Sequence, residues 1–136
     1  MKEISTVDFT GFDLYTAPGK YFYFYGQGGL VYFWFQIDSN GDDPALAGRG
    51  ILLDMPENPA PSNVPGWVAS AIDTDADFSA SYFGNIVTIT DNLDGERIDI
   101  NAGTSGLIVA VSQQGSSIAR LLKRFGARPK LKGFCL

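Results

Sequence analysis

Carboxylates are the reactive side chains this sequence holds in quantity: fifteen Asp and Glu against ten Lys and Arg, with no histidine. Lacking imidazole, it loses the usual general base, the Ser-His and Cys-His nucleophilic pairs and most zinc sites. Paired carboxylates can hydrolyse glycosides, so residue type alone leaves an Asp-dependent hydrolase open. Yet Asp38, Asp42, Asp43, Asp73, Asp75, Asp91 and Asp94 all stand in turn contexts, where Asp bonds nearby backbone amides. Solvated turns are the expectation, and an enzyme is not. The segment "DSNGDD" sets Asp38, Asn40 and Asp42 at the one-three-five spacing of a calcium loop. Its sixth position is Asp43 instead of glycine, and no Glu stands at the twelfth, so a hairpin turn is expected there. The glycines of "GQGG" and "AGTSG" lack the Lys-Ser/Thr ending of a phosphate loop. Cys135 is the only cysteine and cannot close an internal disulfide. It reads as a terminal thiol, with an intermolecular bridge as the alternative. No cofactor, metal or small-molecule substrate is expected.

Charge is divided unevenly. Residues 1–119 hold four bases and fifteen acids (4 − 15 = −11), while residues 120–136 hold six bases and no acid (+6). The six are Arg120, Lys123, Arg124, Arg128, Lys130 and Lys132. Such a tail docks on something negative or stays solvated. Contact with the acidic body of a neighbouring copy is expected ahead of a solvated tail, and either ahead of DNA or lipid. Phosphate contacts would suit six bases, but the acidic body repels nucleic acid, so none is expected as a partner. No apolar h-region opens the sequence and no apolar run is long enough to span a bilayer. Neither signal-peptide export nor a membrane contact is expected.

The elements that position these groups are mostly strands. Gly and Asp are abundant and strong helix formers few, which favours a β-rich fold. Residues 1–19 read as an irregular arm docking by its aromatics. Strands are expected over 20–25, 30–37, 50–55, 77–82 and 86–91, and at "RIDI" and "GLIVAVSQ". One helix is expected from Ser62 or Asn63 to about Thr74, with Val64, Trp67, Val68, Ala71 and Ile72 as its stripe. Pro65 fits only the first turn. The fold class is α+β and β-rich: an antiparallel sheet with one central helix, in a ββ-β-α-ββ core. Residues 1–115 form one β-rich domain. Residues 116–136 form a short C-terminal helix, striped by Ile118, Leu121, Leu122 and Phe125, and an extended basic arm.

The aromatics are concentrated. Twelve of eighteen lie between Phe9 and Phe35, in and around "KYFYFYGQGGLVYFWFQI". Joined by a Gly26–Gly29 loop, the two strands oppose Tyr21 to Trp34, Tyr23 to Tyr32 and Tyr25 to Leu30. Opposed residues share a face. One face then carries Phe22, Phe24, Val31, Phe33, Phe35 and Ile37, and should be core. Each buried Phe contributes roughly 1.5–3 kcal/mol. The other carries Tyr21, Tyr23, Tyr25, Leu30, Tyr32, Trp34 and Gln36; the dry rings and polar tips of Tyr21, Tyr23, Tyr32 and Trp34 suit an interface. Together with the six basic residues of the tail and Phe134, these form the expected subunit interface.

The stretch "YFWFQIDSNGDDPALAGRGILLDM", a helix, and "DFSASYFGNIVTITD" together resemble a module of virion structural proteins of tailed bacteriophages. In that module an aromatic strand leads into a Gly/Asp turn, a "DPA-x-AG" loop, a second strand, a Val/Ala helix and a closing hairpin. The likeness covers about Tyr21 to Asp91, and its motifs are those of a fold rather than a reaction. The family often carries a longer Ala-rich helix, part of which "PENPAPSNVPGW" replaces here. The resemblance implies a non-enzymatic component of the particle, in the neck, tail, baseplate or capsid decoration, with the head–tail neck or the tail expected first. It further implies assembly in the host cytoplasm against copies of itself and other virion proteins, and localisation in the virion. The alternative is capsid decoration, or a fibre or adhesion protein with a glycan-binding aromatic surface.

Overall fold

Strands β2 (Tyr21–Gly26) and β3 (Gly29–Ile37) pair antiparallel in the register that the aromatic alternation predicts: Tyr21 opposite Trp34, Tyr23 opposite Tyr32, Tyr25 opposite Leu30. The ladder runs on to Gly26 opposite Gly29, so the connection is shorter than expected. Phe22, Phe24, Val31, Phe33, Phe35 and Ile37 are all buried. Phe33 stacks between Phe22 and Phe24, each 5.1 Å away centre to centre, and Phe24 meets Phe78 edge-on at 4.8 Å. The computed structural model of the chain describes residues 1–26, 28–56 and 59–116. Beyond Ser116, the expected C-terminal helix and all of the basic arm lie outside the described residues.

Among the described residues, seven strands form two sheets. β4 (Arg49–Met55) joins β3 to give the order β2-β3-β4. The other sheet has the order β5-β6-β1-β7, from β1 (Lys2–Asp8), β5 (Phe78–Phe83), β6 (Ile86–Asp94) and β7 (Ile108–Gln113). A 3-10 turn (Pro61–Asn63) leads into helix α1 (Val64–Asp73), with Pro65 in its first turn. α1 buries Val64, Pro65, Val68, Ala69 and Ile72, and Trp67 and Ala71 pack beside them. The inward sides of both sheets and of α1 share one core, which includes Val7, Phe33, Leu53, Phe78, Val87 and Ile89. The β-rich α+β class and the ββ-β-α-ββ core are present in this arrangement.

Four expectations need correction. Residues 2–8 are not an irregular arm. They form β1, an interior strand bonded to both β6 and β7. Its inward positions are Glu3, Ser5 and Val7, and two polar residues facing in disguise the alternation. The strands do not lie in a single antiparallel sheet, because β4 runs parallel to β3, Val31 opposite Arg49 through Ile37 opposite Met55. The tight turn after β3 is at Asp38-Ser39, both at positive φ (51° and 63°), rather than at Asn40-Gly41. Lastly, "RIDI" forms no strand. Arg97 turns toward Asp91, Ile98 is exposed, and ladder contact begins only at Asn101, bridged to Tyr23.

Candidate interaction surfaces

The parallel pairing of β4 decides much about the Tyr/Trp face. Residues 38–48 must carry the chain back along β3, and they pass over this face. The Tyr32 hydroxyl donates to Asp43 Oδ1 at 2.7 Å, and Tyr32 is only 3% exposed. That bond, with a backbone amide bond from Ala45, holds the Asp43 carboxyl below its ordinary pKa. The ring lies against Gly50 of β4, where a Cβ would come 2.6 Å from it. At the other edge, Tyr23 exchanges backbone hydrogen bonds with Asn101, and the Thr104 and Ser105 amides both donate to the Tyr21 carbonyl. Tyr21, Tyr23 and Trp34 are half-buried. Tyr21 and Tyr23 stand 6.2 Å apart, Tyr23 and Tyr25 6.4 Å, and Tyr21 meets Tyr32 edge-on at 6.5 Å. The fold thus brings four of the expected interface residues together on one face, which loops of the same chain partly cover. Arg120, Lys123, Arg124, Arg128, Lys130, Lys132 and Phe134 lie outside the described residues, as does Cys135.

A second face went unread in the sequence. The β5-β6-β1-β7 sheet turns its outer side away from the core, and ladder register sorts that side into rows. One row runs Phe83, Ile86, Asp8, Ile108; the next runs Ser81, Thr88, Thr6, Ala110. Phe83 is 89% exposed and Ile108 63%. Short uncharged side chains fill the Ser/Thr row, and beyond it Phe83 and Ile86 make an apolar pair at the β5–β6 turn, Gly84-Asn85, with Asp8 and then Ile108 further along the row. The available signal was Phe83 itself, an apolar residue at a hairpin tip, where polar residues are the rule.

Beside that tip lies a cavity of about 300 Å³. Phe9, Phe12, Leu14, Pro61 and Val64 give it apolar walls, and Ser62 and Asn85 add polar ones. Phe9 follows β1 directly, and its amide donates to the Asn85 carbonyl, which pins the 9–14 segment to the hairpin. Phe9 and Phe12 meet edge-on at 5.3 Å.

The carboxylates serve the frame. Arg49 ion-pairs with Asp75 and with Asp77 (2.9 Å), tying the start of β4 to the turn after α1. Burial pushes the Asp75 carboxyl up, but the Arg49 bond and charge and the Asp77 amide outweigh it, so its pKa falls below the ordinary value. Arg97 Nε donates to Asp91 at 2.9 Å inside the sandwich, beside buried Glu3 and Ser5. The Gly115 amide faces Glu3, and Met1 and Ser116 exchange backbone hydrogen bonds. The space at this cluster is about 10 Å³, too little for a substrate. Among the described residues, no group of three or more His, Cys, Asp or Glu is placed to hold a metal ion. Nor is any described helix long and apolar enough to cross a membrane. No protein-family model, curated protein or solved structure matches this chain.

Proposed function

We propose that this chain is a non-enzymatic structural component of a tailed-bacteriophage particle, at the head–tail neck or in the tail. It assembles through contacts with copies of itself and with other virion proteins. The supporting observation is the outer face of the four-stranded sheet, where Phe83 at 89% and Ile108 at 63% exposure stand at the two ends of a row, and Asp8 is the single charged member of that row and the Ser/Thr row beside it. Large exposed apolar side chains clustered within a polar surround mark protein contact sites. The module likeness between Tyr21 and Asp91 points to the same setting. The test is electron microscopy of purified particles labelled with an antibody to this chain. Label at one fixed position, with the chain co-sedimenting with particles, is expected. Particles without the chain would overturn the reading.

A second reading draws on the half-buried Tyr21, Tyr23 and Tyr25, a row of rings at 6.2 and 6.4 Å. Such a row can stack on sugar rings, and an adhesion protein would use it so. A glycan array without hits removes this reading.

A further inference from the structure

We propose that the hairpin tip and the cavity beside it form a self-complementary contact: Phe83 of one copy seats in the apolar cavity of a second copy, whose Phe83 enters the first. This names the contact behind the assembly just described, and it rests on that reading in taking the partner to be another copy.

The two halves fit in size and chemistry. An apolar cavity of about 150 Å³ holds benzene, so about 300 Å³ receives a phenyl ring with room to orient it. The Phe9 and Phe12 rings in the wall are already set edge-on to one another, and a third ring gains the same geometry against them. The knob is held ready. Phe83 is paired with Ile86 at the end of a β-hairpin, and a Phe side chain has only two torsions to freeze. Ordering on contact is therefore cheap.

Placement sets the symmetry. Asn85, two residues past Phe83, lines the cavity, whereas Phe83 does not. Knob and hole are thus neighbours at the same end of the sheet, and a two-fold contact needs both within reach because each copy must offer both halves to its partner. Ile86 adjoins Phe83 in its row, Asp8 and Ile108 continue that row to the far edge of the sheet, and Tyr15, next to the cavity's Leu14, is 97% exposed. Two Phe rings bury roughly 150–250 Å² each, against roughly 1,200–2,000 Å² for a standard interface. Ile86, Ile108 and Tyr15 supply further apolar area, and Asp8 and the adjoining Ser/Thr row supply polar area.

Sedimentation velocity on the full chain, with a reductant present to exclude Cys135 bridges, tests the contact. Two variants change exposed positions: Phe83→Asp removes the knob, and Ser62→Phe fills the hole from the 3-10 turn. Thermal melts establish that both are folded. The wild type should dimerise, and each variant, which loses both copies of the knob-in-hole contact, should dimerise at least about thirtyfold more weakly, the floor set by a single interface hot spot. An equimolar mixture should associate more tightly than either variant alone, since the intact knob of one fits the intact hole of the other. A monomeric wild type, a Phe83→Asp variant that dimerises like wild type, or a mixture without gain would each overturn the contact. A chain that is monomeric yet present in purified particles sinks this contact and leaves the structural role standing. A Phe83-dependent dimer absent from particles does the reverse.

Discussion

Glu3 shows what strand alternation imposes on a single residue. The register that buries Val7 also buries Ser5 and Glu3, and Glu3 is 5% exposed. Burial pushes its carboxyl pKa up. The backbone amides of Gly115 and Arg97 pull it down, the Asp99 charge raises it, and the Arg97 charge lowers it; the net direction is up. A carboxyl with a raised folded pKa holds its proton more readily in the fold than in the unfolded chain. Its contribution to stability is then full below the ordinary glutamate value, about 4.3, and is lost as pH rises through the folded value. Glutamine at position 3 keeps an oxygen for the Gly115 amide and carries no charge. Glu3→Gln should therefore melt higher than wild type at about pH 7, with the difference closing toward about pH 4. Thermal melts across that range decide it. A difference constant with pH would show that the buried charge is not what Glu3 costs.

Among the elements, the parallel pair β3–β4 organises the Tyr/Trp face. Parallel neighbours need a crossover, usually a helix; here residues 38–48 make the return as a loop, and their path closes over Tyr32. Gly50 leaves the space that the Tyr32 ring fills, since any Cβ there would stand 2.6 Å from it. Gly50→Val must push the ring, β4 or the loop aside, at a cost of roughly 1–3 kcal/mol, measurable by urea unfolding. If instead stability is unchanged, the ring has somewhere else to go and the face is less ordered than its contacts imply. The same elements show what could be read in the sequence. The β2–β3 register and the α1 stripe were legible because Phe, Tyr and Val alternate at strand period and Val64, Val68 and Ile72 recur at helix period. β1 was not, because Glu3 and Ser5 occupy its inward positions. Nor was the parallel direction of β4, since "GILLDM" looks the same whichever way its neighbour runs. The cavity beside the hairpin was equally hidden, for it joins Phe9 and Phe12 to Pro61 and Asn85, residues brought together only by the fold.

At the scale of the whole molecule, two kinds of contact differ in how they answer salt. The knob-and-hole contact is apolar, whereas any contact between residues 117–136 and an acidic body is electrostatic and weakens as the Debye length falls from about 10 Å at 0.1 M salt to about 3 Å at 1 M. The Met1–Ser116 and Glu3–Gly115 hydrogen bonds are made by residues up to Ser116, so a chain cut after Ser116 keeps the residues that make them. That cut removes six bases and no acid, taking the net charge from −5 to −11 (−5 − 6). Copies of the shortened chain repel one another more strongly, and salt screens that repulsion. The two proteins should therefore respond with opposite slopes in light scattering. Added salt should loosen association of the full chain, which loses its charge opposition, and tighten association of the shortened one, which retains Phe83. Parallel slopes would mean that the basic residues take no part in holding copies together, leaving assembly to the sheet face alone.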